Sequence, residues 1–156
     1  NACPWSERIE IINTDILQYS PQEPFDTIVC NPPYFVNSLK CEDSSRTLAR
    51  HSETLECGSF FKKATTLLTT DGKISIVIPT DIIEEWKDAA ALAGFSPSRI
   101  TYIKTTPRKA PKRVLMEFIR AYHCNTETKT LVLEEEQGVY SNDAQEILRD
   151  FYLKIL

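Results

Sequence analysis

Glycine is in short supply. The 156-residue chain has four, Gly58, Gly72, Gly94 and Gly138, none of them spaced as G-x-G. Turns that wrap a phosphate or a nucleotide need glycine where backbone must approach the ligand closely, so these residues encode no such cradle. Long hydrophobic runs are missing too. No apolar stretch nears the roughly 20 residues that cross a bilayer, and nothing at the N-terminus reads as a signal peptide, so no membrane partner is expected. The five cysteines (Cys3, Cys30, Cys41, Cys57, Cys124) are odd in number and scattered, with no C-x-x-C pair. His51 and His123 add no ligand spacing, so neither a disulfide framework nor a bound metal is expected. A reduced, cytoplasmic setting fits. The net charge of −4 gives no global sign of a nucleic-acid partner, leaving only its distribution to do so.

At this length, with 42% hydrophobic residues, the chain can bury the core of one domain. Its organising stretch is Asn31-Pro32-Pro33-Tyr34, at the end of the apolar run Phe25-Asp26-Thr27-Ile28-Val29-Cys30. A β-branched run that stops at Asn-Pro-Pro predicts a buried strand ending in a stiff elbow. Each proline lacks an N–H, fixes its own φ and extends the residue before it. The elbow leaves the Asn31 amide and the carbonyls of Asn31 and Pro32 pointing out of the sheet, with an aromatic ring next in sequence. Acceptors beside a stacking face suit a flat group that bears an exocyclic NH2.

Upstream, Arg8-Ile9-Glu10-Ile11-Ile12 predicts a strand over residues 9–13, followed by Asn13-Thr14-Asp15-Ile16. Downstream, residues 37–52 are polar and irregular, with Lys40, Arg46, Arg50 and His51. From about Thr54 a helix is expected, with Leu55, Phe60, Phe61, Ala64, Leu67 and Leu68 on one face and Asp71-Gly72 as its end. Lys73–Pro79 reads as a buried strand. Asp81 is placed to cap a second helix whose inner face holds Ile82, Ile83, Trp86, Ala90 and Ala93, ended by Gly94. Strands follow around Ser98–Lys104 and Arg113–Tyr122, then a candidate over 130–135. Asn142–Leu156 has Ala144, Ile147, Leu148, Phe151, Tyr152 and Ile155 at helical spacing, with Ser141 or Asn142 as cap. The pattern is the second half of a doubly wound α/β sheet, mostly parallel and closing with an antiparallel hairpin.

The hairpin carries the most informative charges. From Arg99 to Arg113 there are six basic residues (Arg99, Lys104, Arg108, Lys109, Lys112, Arg113) and no acidic ones. Pro107 and Pro111 stiffen the connection. A basic ridge on an acidic background is an electrostatic footprint for phosphate contacts.

The Asn-Pro-Pro-Tyr stretch resembles the motif of amino-methyltransferases that use S-adenosylmethionine, a group shared by adenine-N6 and protein-glutamine enzymes. Taken with Pro4-Trp5, Leu48-Ala49-Arg50-His51, Pro111-Lys112-Arg113-Val114-Leu115 and Asp150-Phe151-Tyr152-Leu153, the chain is similar over nearly its whole length to the bacterial tRNA(Val) adenine-N6 methyltransferases. The resemblance implies a Rossmann-like class I methyltransferase fold, S-adenosylmethionine as cofactor and tRNA as partner, with the adenine beside the anticodon as target. It implies that the Asn31 side-chain oxygen and the Pro32 carbonyl accept the N6 hydrogens while Tyr34 stacks on the base. Pro33, Phe35, Arg50, His51, Lys112 and Arg113 would meet the substrate. Asp15, Ile16 and Asn31 would meet the cofactor, Asp15 by accepting from its adenine amino group.

The family's glycine-rich cofactor loop has no counterpart here. Residues 1–156 are therefore expected to form one partial catalytic domain, the C-terminal two-thirds of a larger protein, with 130–156 packed on it as a strand and helix. In that fold two strands lie between the one at 9–13 and the one at 25–30. Without them the strand ending at Asn31 should expose an apolar edge, open to another chain in self-association or to a re-docked N-terminal strand. Three other readings stay open: a protein-glutamine methyltransferase, a DNA adenine methyltransferase, and a non-catalytic RNA-binding fragment. The basic hairpin argues against the first, and the lack of room for a target-recognition domain against the second.

Overall fold

A computed structural model describes residues 4–33 and 56–152. The elements, in chain order, are β1 (Phe25–Cys30), α1 (Cys57–Leu67), β2 (Leu68–Pro79), α2 (Ile83–Leu92), β3 (Phe95–Lys104), β4 (Arg113–Arg120), β5 (Glu127–Val132), β6 (Glu134–Glu136), β7 (Val139–Tyr140) and α3 (Asn142–Leu148). Five strands form one sheet in the order β1-β2-β4-β3-β5, and β6 pairs with β7. β1 with β2 and β3 with β5 are parallel, while β4 runs against both its neighbours. Four strands thus share one direction and β4 alone opposes them: the mostly parallel sheet with a closing β3–β4 hairpin that the patterning predicts.

Period-2 burial builds the core. Ile74, Ile76 and Ile78 of β2 and Val114, Met116 and Phe118 of β4 all face one side of the sheet and are at most 3% exposed. α1 and α2 cover that side because their apolar residues recur at helical spacing: Phe60, Phe61, Ala64 and Leu67 on one, Ile83, Trp86, Ala89 and Ala90 on the other. Phe61 is the hub. It lies 5.0 Å edge-on from Phe118 and also meets Phe60, Trp86 and Phe95. Neither α1 nor α2 covers the opposite side, where Val29 and Leu115 are 80% and 44% exposed.

Several element boundaries differ from the sequence reading. α1 ends at Leu67, and Asp71-Gly72 lies inside β2. Thr65 and Thr66 turn their hydroxyls onto the Lys62 and Lys63 carbonyls, and Leu68 already pairs with Phe25. The register then jumps to Thr27 opposite Lys73. Gly72 is needed at that jump because a Cβ there would stand 3.0 Å from the Leu68 Cβ and the Thr69 carbonyl oxygen. α2 begins after a 3₁₀ turn at Thr80–Ile82, and Asp81 makes no cap. Glu84 and Glu85 supply the negative charge that its N-terminus favours.

The strand expected over residues 9–13 is absent. Apart from a 3₁₀ turn at Ser6–Arg8, residues 4–24 are irregular, and Ile9, Ile11 and Ile12 are 55%, 91% and 45% exposed. A lone apolar run has neither a ladder to join nor a core to face, so it gains nothing by forming a strand. No N-terminal strand re-docks on β1, whose outer edge is unpaired among the described residues. α3 is shorter than its apolar spacing suggests. Ser141 caps it, accepting from the Ala144 N–H at 3.1 Å, but the helix stops at Leu148. Ala144 is its buried residue, whereas Ile147 and the Phe151 and Tyr152 beyond it are over half exposed. With little core surface beneath them, further turns gain no burial.

Candidate active site

The strand that carries Asn31 is held on one side by β2. Cys30 pairs with Ile76, so the next residue, Asn31, continues level with Val77, which faces Leu115 of β4. Two steps on, the elbow reaches the level of Pro79 and Arg113, which pair with each other. At about 4.8 Å between strands, the first residue of β4 lies about 10 Å across the sheet from the continuation of β1. The carboxyl ends of β1, β2 and β3 and the loop between β3 and β4 therefore share one rim. In open α/β sheets that rim is where ligands bind.

Pro32 is buried, and Asn31 and Pro33 are exposed at the rim. The Asn31-Pro32-Pro33 stretch is thus anchored by its middle residue, while Asn31 stands at the surface. Tyr34, Phe35, Arg50 and His51, together with the 37–52 stretch, lie outside the described residues. Next to Asn31, on the uncovered side of the sheet, is an open depression of about 340 Å³ floored by Val29, Ser75, Val77, Thr101 and Leu115. Burial pushes the Cys30 thiol above its ordinary value. Cys57 is also raised, by burial first and then by the Glu85 carboxylate beside it. Both are free and favour the protonated thiol, which makes them poor nucleophiles.

Asp15 organises its own turn. Its Oδ1 accepts from the Leu17 N–H at 2.9 Å, and its carbonyl oxygen accepts from the N–H groups of Gln18 and Tyr19. Local bonds to the chain two residues on are the usual habit of aspartate in a turn. The carboxylate stays exposed, with lone pairs left for a donor, and Ile16 beside it is 39% exposed.

The basic stretch divides in two. Arg99 lies within β3, opposite Glu117, and its guanidinium pairs with Glu127 at 3.3 Å, so it is not part of the rim. The loop keeps Lys104, Arg108, Lys109, Lys112 and Arg113, and Arg108, Lys109, Lys112 and Arg113 are exposed. It is tied down at both ends. The Leu133 and Glu134 N–H groups donate to the carbonyls of Lys104 and Thr105 at 2.8 and 2.9 Å. At the other end the Thr80 N–H donates to the Lys112 carbonyl, and the Thr80 hydroxyl to that of Pro111. Thr80 escaped the sequence reading because the partner of its hydroxyl lies 31 residues downstream and Pro79-Thr80-Asp81 reads locally as a turn.

Four strands in one direction with β4 running against them form an α/β sheet of the methyltransferase fold. A crystal structure of a predicted O-methyltransferase from Agrobacterium tumefaciens shares this fold with a TM-score of 0.65 at 17% identity, over 92% of this chain and 64% of that one. By sequence the chain is a homologue of the tRNA1(Val) (adenine(37)-N6)-methyltransferases. It is 38% identical over 154 residues to that of Parabacteroides distasonis, 39% over 155 to that of Bacteroides fragilis and 33% over 151 to that of Vibrio campbellii. Each match covers 97% of this chain but 62–65% of the relative, so the chain corresponds to about two-thirds of such a protein's length. No protein-family model matches the chain. Among the described residues no helix is long and apolar enough to cross a membrane.

Proposed function

We propose that this chain is the substrate-facing part of a methyltransferase that modifies the exocyclic N6 of adenine 37 in tRNA1(Val), the activity in the names of its relatives. The observation that carries the reading is the placement of Asn31-Pro32-Pro33 on the same rim as a loop of exposed cations. An acceptor pair for an exocyclic amine and a phosphate-seeking ridge then face one nucleic acid.

S-adenosylmethionine fits part of what is here. Asp15 and the Asn31 elbow offer carboxylate, amide and carbonyl acceptors, but the chain has no glycine turn at the rim to cradle the methionine moiety. When bound, the cofactor supplies an electrophilic methyl group on a sulfonium.

The chain's own residues prepare the nucleophile. The N6 lone pair of adenine is delocalised into the ring, which makes the nitrogen a poor donor of electrons. The Asn31 side-chain oxygen and the Pro32 carbonyl each accept one N6 hydrogen, which favours a tetrahedral nitrogen with its lone pair out of the ring plane. Tyr34 stacks on the base, and the loop cations hold the flanking phosphates. The rate gain comes from positioning and fixed dipoles rather than a covalent intermediate. A base in an anticodon loop is swung out more easily than one in a duplex. In the same reading the unpaired edge of β1 accepts a further strand, from a second copy where none other covers it. Sedimentation over a range of concentrations measures that association.

The test is methyl transfer from labelled S-adenosylmethionine to tRNA1(Val) transcripts by the protein that contains this chain. Label should enter the native transcript and be lost when adenine 37 is replaced by guanine. Equal labelling of both, or transfer to DNA or to a glutamine peptide instead, overturns the reading.

A further inference from the structure

Resting on that reading, we propose that Thr80 is a positioning residue for the substrate: it locks the basic loop onto the rim that carries Asn31. β2 and β4 run antiparallel with Pro79 opposite Arg113. Thr80 extends that ladder by one step, its N–H donating to the Lys112 carbonyl at 3.4 Å. Immediately afterwards the chain leaves the sheet through the 3₁₀ turn Thr80–Ile82, so the ladder goes no further. The side chain adds what the backbone cannot. Its hydroxyl donates to the Pro111 carbonyl at 3.1 Å in a half-buried setting, beyond the last paired residue.

The position of this bond gives it leverage. At its far end the loop hangs from the backbone of Leu133 and Glu134, where no side chain is needed. At its near end lie Lys112 and Arg113, and β4 begins at Arg113. Pro111 has no N–H and so cannot bond to β2 by a ladder of its own; its carbonyl is the handle left. Thr80 directly follows the last residue of the strand next to β1, three steps beyond Val77, which is level with Cys30's neighbour Asn31. One residue thus sets the spacing between the acceptors that hold the base and the cations that hold its phosphates. Misplacing the two by about 1 Å lowers productive encounters without altering either group.

Thr80→Val removes the hydroxyl, and Thr80→Ser restores it. In the protein that contains this chain, Thr80→Val should raise KM for tRNA about fivefold, the scale of one lost hydrogen bond, with kcat within twofold of wild type. Trypsin should cut after Lys109 several times faster in the variant, since the loop then keeps only its backbone bonds to β2 and Thr80 at that end. Thr80→Ser should return both readings close to wild type. Should Thr80→Val fail to fold, Thr80→Ala takes its place. An unchanged KM, unchanged cleavage, or equal damage by Ser and Val each overturns the inference. If the wild-type protein transfers no methyl to tRNA, the functional reading falls and the inference with it. If the wild-type protein transfers methyl to tRNA and Thr80→Val matches it in both KM and cleavage, the inference alone falls.

Discussion

Arg120 reaches back from the end of β4 to the end of α1. Its guanidinium donates to the Thr65 carbonyl at 3.0 Å and the Leu68 carbonyl at 3.4 Å, while lying 5.2 Å from the Phe95 ring centroid. The last carbonyls of a helix have no partner within it, and a cation there meets the negative end of the helix dipole. One side chain thereby closes the helix where the Asp71-Gly72 signal does not. Arg120→Met, which keeps the stem and removes the donors, should lower unfolding free energy by about 1.5–3 kcal/mol, the range for hydrogen bonds to a charged group. Urea titration measures it. A loss below about 0.5 kcal/mol would leave the helix end held by packing alone.

Asn31→Ala should lower single-turnover methyl transfer to tRNA by about 10²–10³-fold, the usual loss for one preorganised polar contact at a reacting centre. The contact strengthens as the nitrogen becomes tetrahedral, so the loss should fall on the rate and leave tRNA affinity nearly intact. A wild-type rate at saturating tRNA would remove Asn31 from the reaction.

Replacing Lys112 and Arg113 together by Ala should weaken tRNA binding and flatten its salt dependence. Each lost phosphate contact reduces the log–log slope by about 0.9 in duplex regions and about 0.7 in single strands. Affinity for S-adenosylmethionine should not change. A slope equal to that of wild type would make these two side chains ordinary surface cations.

Glu127 joins β5 to β3 by charge. The hydrogen bond from Lys129 is the main reason its carboxyl is held below the usual 4.5, with Arg99 assisting. A carboxyl with a depressed folded-state value stabilises the fold above its unfolded value and stops doing so as pH falls through the folded one. Glu127→Gln should therefore be slightly less stable than wild type at neutral pH, and the gap should close as pH drops from 4.5 downward. Because the pair is exposed, high salt should narrow the gap as well. A gap that persists at low pH would assign the effect to something other than charge.

Much of the fold was legible because burial leaves a period in the sequence. Ile74, Ile76 and Ile78, and Val114, Met116 and Phe118, alternate with half-buried or exposed neighbours, and the strands fall where the alternation lies. The elbow at Asn31 was legible for a different reason: two successive prolines can neither continue a ladder nor start a helix there. What misled was apolar spacing without a surface to bury it. Ile9–Ile12 and Ile147–Phe151 have the periods of a strand and a helix, yet each faces solvent here. Long-range partners were invisible, so Arg120 and Thr80 read as unremarkable while fixing a helix end and a loop. The basic ridge was read one residue too widely, since pairing across β3 and β5 commits Arg99 to Glu127.

β1 is attached along one side only, with β2 as its single neighbour among the described residues. In mechanical terms it is a cantilever among the described residues, and Asn31 follows its carboxyl end. A beam clamped along one edge bends most easily towards the open side, so the aim of the Asn31 amide depends on the stiffness of the β1–β2 ladder. Any strand that comes to lie along the outer edge would satisfy the open backbone groups and double that stiffness in the same act. The accuracy of the acceptor site and the completion of the sheet are then one property, set by the contact between two strands rather than by the residues of the motif.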